Sequence, residues 1–315
     1  MLRLDRVSKV YRVGSFGRER LHAVRDVGFE VRSGQVVALI GESGSGKSTI
    51  GKMVLGLTSI TGGAITFEGT DVAGLRGHRA HKEYYRRVQG VFQDPFSSFN
   101  PVFPADRVFA LIRAEYFPEV GEAEWRRRIE ESLRVVRLDP AQVLGKYPHQ
   151  LSGGQLQRIL IARALLLDIR LLVADEVISM LDASTRIDVL NLLADLKARG
   201  MGILFVTHDL SLGNYVSDTA VILRRGAIAE SGPADRVFTN PLHPYTRRLL
   251  SSVPRLHRTW AQADAELPAD DGGCPVHGRA GAGDGSATLV EVEAGHFVGC
   301  AGDGEGGPCR PDPRA

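Results

Sequence analysis

The sequence predicts an α/β fold built on a mostly parallel sheet, and three observations predict it. Short apolar runs of strand length alternate with segments of helical length through most of the chain. A glycine-rich turn, Gly41-Glu42-Ser43-Gly44-Ser45-Gly46-Lys47-Ser48-Thr49, joins one such run to a helix. The totals also permit a large core, because 315 residues with 43% hydrophobic content can bury one α/β core and a smaller satellite domain.

Taken in order, residues 2–11 and 23–31 contain short β-like segments that turn at 31–34 into a buried strand over 35–40. Residues 48–57 have helical length and an apolar face. Residues 62–69 alternate and close on glycine, as a strand of a small antiparallel sheet does. A short apolar strand at 88–92 ends at Gln93-Asp94-Pro95. From about 100 to 150 the character changes: 103–116 and 122–136 are helical by periodicity, the latter charged, with Trp125, Ile129, Leu133 and Val136 on one face. The core resumes with a helix at 153–167, a strand at 171–174, a helix at 184–199, a strand at 203–207 and another at 219–223. Beyond Glu266 the chain is rich in Gly, Ala, Pro and Asp, and little independent structure is expected.

Charge and composition exclude several classes. The formal charge of +2 comes from 39 basic against 37 acidic residues, with no long basic block of the kind that tracks nucleic acid, so no nucleic-acid partner is expected. The apolar runs are too short for a membrane span and the N-terminus lacks a signal peptide's apolar centre, which implies a soluble, cytosolic chain. All three cysteines, Cys274, Cys300 and Cys309, fall in the last fifth, so the main body holds no disulfide framework.

The turn at 41–49 is a complete phosphate-binding loop, G-x-x-x-x-G-K-[ST], between a strand and a helix. A triphosphate needs closely spaced backbone N–H donors that side chains do not block. Gly41, Gly44 and Gly46 supply that access, and the helix N-terminus adds its dipole. Lys47 is placed to reach the β- and γ-phosphates and Ser48 to ligate magnesium. The expected fold is therefore that of a P-loop NTPase, with a RecA-like core. The strand at 171–174 delivers Asp175 and Glu176 at its C-terminal end, where open α/β sheets bind ligands. With a phosphate loop upstream, Asp175 is read as a magnesium ligand and Glu176 as the group that orients or deprotonates the attacking water. Leu151-Ser152-Gly153-Gly154-Gln155 is either an anion site at a helix start or an ordinary N-cap, and the residues alone leave the two readings even.

The order of motifs settles it by resemblance. A phosphate loop, Gln93 at a strand end, LSGGQ at 151–155, the Asp175-Glu176 pair, Ser179-Met180-Leu181-Asp182 and then His208 together resemble the ATP-binding subunit of ABC transporters. The resemblance implies two cassettes closing head to tail, each Mg-ATP held between one subunit's phosphate loop, including Ser43, Ser45 and Thr49, and the other's LSGGQ. It further implies that Tyr11 stacks on the adenine and that Gln93 senses magnesium, water and the membrane subunit. Ser152, Gly153, Gly154 and Gln155 would meet the partner's γ-phosphate. Glu176 would be the catalytic base, Asp182 a cross-interface contact and His208 a γ-phosphate ligand.

Residues 91–101 and 240–254, with Asn240-Pro241-Leu242-His243-Pro244-Tyr245-Thr246-Arg247, look like the dipeptide, oligopeptide and nickel importer ATPases. That resemblance implies a cassette over 1–240, with a helical subdomain inserted at about 100–152, and an extension over 241–315 that is largely irregular after 266. It implies two transmembrane permease subunits, a second, related ATPase subunit and an extracytoplasmic solute-binding protein, with the chain on the cytoplasmic face of the membrane. Two departures stand out. Val177 follows Glu176 where the family has proline, which removes a fixed φ from the turn. In Gly273-Cys274-Pro275-Val276-His277-Gly278-Arg279-Ala280, Ala280 stands where a second cysteine is expected. Three cysteines, with His277 or His296, fall short of the usual four for an iron–sulfur cluster or zinc, so a degenerate tail is the favoured reading. A soluble ABC-type ATPase acting on DNA or the ribosome is the alternative, but such chains carry long coiled coils or two cassettes. A small-molecule kinase would leave LSGGQ and His208 without a role.

Overall fold

The structure, a computed structural model, describes residues 1–14, 19–252 and 288–300. The chain forms two compact units, one of 1–75 with 204–315 and one of 76–203.

The first unit opens with β1 (Leu2–Val13) and β2 (Glu19–Val31), an antiparallel pair whose register shifts at three places. Leu2, Leu4 and Val7 of β1 point into the core while Arg3, Asp5 and Arg6 stay exposed, the near-alternation of a sheet with one wet face. β3 (Val36–Ile40) has five consecutive buried residues, as a strand covered on both faces does. α1 (Lys47–Val54) follows the glycine-rich turn. β4 (Gly62–Phe67) and β5 (Thr70–Asp71) complete an antiparallel sheet in the order β2-β1-β4-β5.

The second unit begins with α2 (Gly77–Arg87), a helix without an apolar stripe that buries only Tyr84. β6 (Val88–Val91) follows. α3 (Arg107–Tyr116) starts four residues later than the periodicity predicts, because Pro104 disfavours helical geometry at Phe103. α4 (Glu122–Val135) buries Trp125 and Leu133 and exposes a ladder of Arg and Glu pairs. α5 (Pro140–Val143) is a single turn capped by Asp139. α6 (Gly153–Leu165) leads to β7 (Leu171–Asp175), which is buried throughout and pairs in parallel with β6. α7 (Ala183–Ala198) then buries Val189, Leu190, Leu192, Leu193 and Leu196.

Returning to the first unit, β8 (Gly202–Thr207) and α8 (Leu210–Val216) precede β9 (Thr219–Arg224), which pairs in parallel with β3 from Val37↔Thr219 to Ile40↔Ile222. Asp218 fixes that register, its carboxylate accepting from Val36 N at 2.9 Å while its own N–H donates to Val36 O at 2.9 Å. β10 (Ala227–Pro233), α9 (Ala234–Thr239) and α10 (Pro244–Ser251) follow. Beyond 266, where the sequence leads to little expected structure, β11 (Thr288–Glu293) and β12 (His296–Cys300) form a hairpin turning at Gly295. The local pattern, TLVEVE and HFVGC around a glycine, is a hairpin signal that the Gly- and Asp-rich flanks dilute. The strands of this unit run β11-β12-β10-β9-β3-β8.

Candidate active site

In the first unit the phosphate loop leaves the end of β3 and wraps into α1. A Cβ on Gly41 would lie 2.2 Å from Leu223 O, and one on Gly46 would lie 2.4 Å from Ala23 O, so backbone on either side excludes any side chain. Gly46 also has φ 105, a conformation that glycine adopts without penalty. Glu42, Ser43 and Gly44 form the exposed lip, whereas Ser45 and Lys47 are buried beneath it. Lys47 Nζ donates to Gly41 O at 2.7 Å and Glu42 O at 2.8 Å, which folds the ammonium against the loop it serves. The loop is tied down further by Gly226 N donating to Ser45 O at 3.0 Å. Ser45 Oγ is buried with no hydrogen-bond partner. Ser48 and Thr49 occupy the first turn of α1 and are half-buried. A cradle that admits no Cβ at Gly41 or Gly46, ends on a helix N-terminus and contains a buried ammonium fits a polyphosphate.

His208 is exposed just past β8, in a turn held by Asp209 N donating to Thr207 Oγ1 at 3.0 Å and by Asp209 capping α8. Tyr11 is half-buried on β1 with the Lys9 ammonium 4.9 Å from its ring centroid. The loop has one contact that the sequence does not announce: Glu42 N donates to the Tyr245 hydroxyl at 3.3 Å. The string His243-Pro244-Tyr245 is conspicuous in the sequence, but nothing in it names a contact 203 residues away.

In the second unit Asp175 is buried at the end of β7 and Glu176 follows, half-buried, with φ 50. The turn that lacks proline at Val177 is held by other means: Ser179 donates to Glu176 O from its N–H at 3.1 Å and from its hydroxyl at 2.9 Å, and Val177 itself is buried. Gln93 lies exposed just beyond β6. Ser152 caps α6 in a reciprocal box, Gln155 N donating to Ser152 Oγ at 3.2 Å and Ser152 N donating to Gln155 Oε1 at 2.9 Å. Gly153 and Gly154 form the first turn, and a Cβ on Gly154 would meet Thr185 Cγ2 at 2.4 Å. Asp182 caps α7, and hydrogen bonds from the Ser184 hydroxyl and from the Thr185 N–H and hydroxyl hold its carboxyl well below the usual range.

These motifs match known proteins at the level of the whole chain. A family model described as ABC transporter matches residues 24–179, and one described as oligopeptide/dipeptide transporter, C-terminal region, matches 229–281. A putative peptide import ATP-binding protein of Brucella ovis is 40% identical over 90% of this chain and 92% of its own length. The chain belongs to the ABC transporter ATP-binding family. This cassette is also 38% identical to the oligopeptide transport ATP-binding protein OppF of Bacillus subtilis, over 90% of this chain and 91% of that protein. Among solved structures, a post-hydrolysis dimer of the ATP-binding cassette MJ0796 with ADP and Pi superposes with a TM-score of 0.67, at 28% identity, covering 74% of this chain and 99% of that one. The cassette is an ATPase of P-loop fold. Its relatives' names give no support to a DNA or ribosome role.

No helix among the described residues is long and apolar enough to cross a membrane. Among the same residues no group of three or more His, Cys, Asp or Glu side chains is placed to hold a metal. Magnesium needs no such group, because it keeps several waters and takes one or two protein oxygens beside phosphate oxygens. Cys300 is buried and disulfide-bonded. Cys274, Cys309 and the 273–280 motif lie outside the described residues.

Proposed function

We propose that the chain is the ATP-hydrolysing subunit of a membrane importer of peptides or of a related solute such as nickel. The observation that supports this reading is the match of the oligopeptide/dipeptide transporter model to 229–281, beyond the general cassette. In this reading Gly41, Ser43, Gly44, Ser45, Gly46 and Thr49 line the phosphate cradle, Lys47 meets the β- and γ-phosphates and Tyr11 lies against the adenine. Ser48, Gln93 and Asp175 are the groups that would hold Mg2+, which supplies charge neutralisation at the phosphates. Water attacks the γ-phosphorus, the bond to the β–γ bridging oxygen breaks, ADP leaves, and Glu176 accepts the water proton while His208 contacts the γ-phosphate. Ser152, Gly153, Gly154, Gln155 and Asp182 serve the nucleotide of a second ATPase subunit, a related chain rather than an identical one.

The complex on the cytoplasmic face comprises this pair, two permease subunits and, through them, an extracytoplasmic solute-binding protein. Uptake in a strain lacking the chain, compared for dipeptides, longer peptides and nickel, tests the cargo. Loss of peptide or nickel uptake is expected, and wild-type uptake of all three overturns the reading.

A further inference from the structure

We infer that Tyr245, in the C-terminal extension, is a positioning residue for the phosphate loop, so that the extension sets the affinity of the cassette for ATP. The inference rests on the reading of residues 41–49 as the ATP site. Tyr245 is 5% exposed, and its hydroxyl accepts the Glu42 N–H at 3.3 Å. The Glu42 carbonyl in turn accepts Lys47 Nζ at 2.8 Å and Ser45 N at 3.2 Å. The peptide group joining Gly41 to Glu42 is thus gripped from both ends, by the extension at Glu42 N and by the phosphate-binding lysine, whose Nζ also donates to Gly41 O at 2.7 Å. A shift of that peptide moves an acceptor of the ammonium that must face the phosphates.

The ring of Tyr245 is aimed rather than merely packed. The Arg224 guanidinium lies 5.2 Å from its centroid, and His243 Nδ1 accepts Tyr245 N at 3.0 Å to start α10. The turn that delivers α10 is anchored on Glu230, which is fully buried. Its two carboxylate oxygens accept Leu242 N at 2.9 Å and His243 N at 3.0 Å. The same carboxylate takes a hydrogen bond from the equally buried His296 of β12 at 2.7 Å. Removing a single neutral hydrogen bond of this kind changes a binding constant by roughly threefold to tenfold.

The test uses the full chain assembled with its membrane subunits. Tyr245→Phe keeps the ring and deletes the acceptor. It is expected to raise the Kd and KM for Mg-ATP about threefold to tenfold, with turnover at saturating ATP within about twofold of wild type and an unchanged thermal midpoint. Val290→Ala, a truncation of a buried β11 side chain remote in sequence from the loop contact, controls for general loosening of the extension. It should lower the thermal midpoint and leave the ATP constants alone. Wild-type ATP constants in Tyr245→Phe, or equal shifts in both variants, overturn the inference. A wild-type complex that binds no ATP overturns the site reading itself, and the inference with it.

Discussion

Glu176 illustrates how much a single residue can carry at a strand end. Its φ of 50 is uncommon for a side chain of this size and is held by the two hydrogen bonds from Ser179 to its carbonyl. Ser179 therefore does locally what a proline at position 177 would do covalently. Glu176→Gln should retain ATP binding and lower phosphate release by about 10²–10⁴-fold, measured on the assembled complex; unaltered hydrolysis removes Glu176 from the base role. Asp182 makes a pH-dependent contribution whose sign is fixed by its depressed pKa. Stability from this cap is fully present above the unfolded value, about 3.9, and fades as pH falls towards the folded one. The difference between the thermal midpoints of wild type and Asp182→Ala should be full at pH 7 and shrink progressively only as pH falls below about 3.9.

At the scale of elements, Gly154 lets the first turn of α6 pass close to Thr185 at the start of α7. With Thr185 Cγ2 2.4 Å from the Cβ that Gly154 lacks, Gly154→Ala must displace the Thr185 side chain, which Asp182 holds, or shift the start of α6. A loss of about 1–3 kcal/mol is expected in denaturant unfolding, with hydrolysis falling as the LSGGQ start is displaced. Most elements were legible because their periodicity is undiluted: the all-buried β3, β7 and β8 read as apolar runs, and α4 shows its stripe. α2 was not, since GHRAHKEYYRR offers only Tyr84 to a core. The loop motif, the carboxylate pair and the capping Ser152 were equally readable, because each is a local string with its own chemistry. The Tyr245–Glu42 contact was not, since two residues far apart in sequence meet only through the packing of α10 beside β10 and β9.

For the whole molecule, the proposed importer function requires the cassette to act through membrane subunits, and that requirement can be tested directly. Affinity capture of the chain from detergent-solubilised membranes should recover two polytopic proteins and a second ATPase. Ribosomes or DNA in their place would contradict the importer reading.

The hairpin at 288–300 also bears on solubility. β10 pairs with β12 through Glu230↔Val298 and Ser231↔Phe297, and β11 then becomes the border strand, with Glu291 and Glu293 exposed along it. An open border is a template for strand addition by a neighbouring copy, and acidic side chains there discourage it. A chain cut before residue 288 would leave β10 as a bare rim without that guard. Its light scattering on concentration should rise where the full chain stays monodisperse.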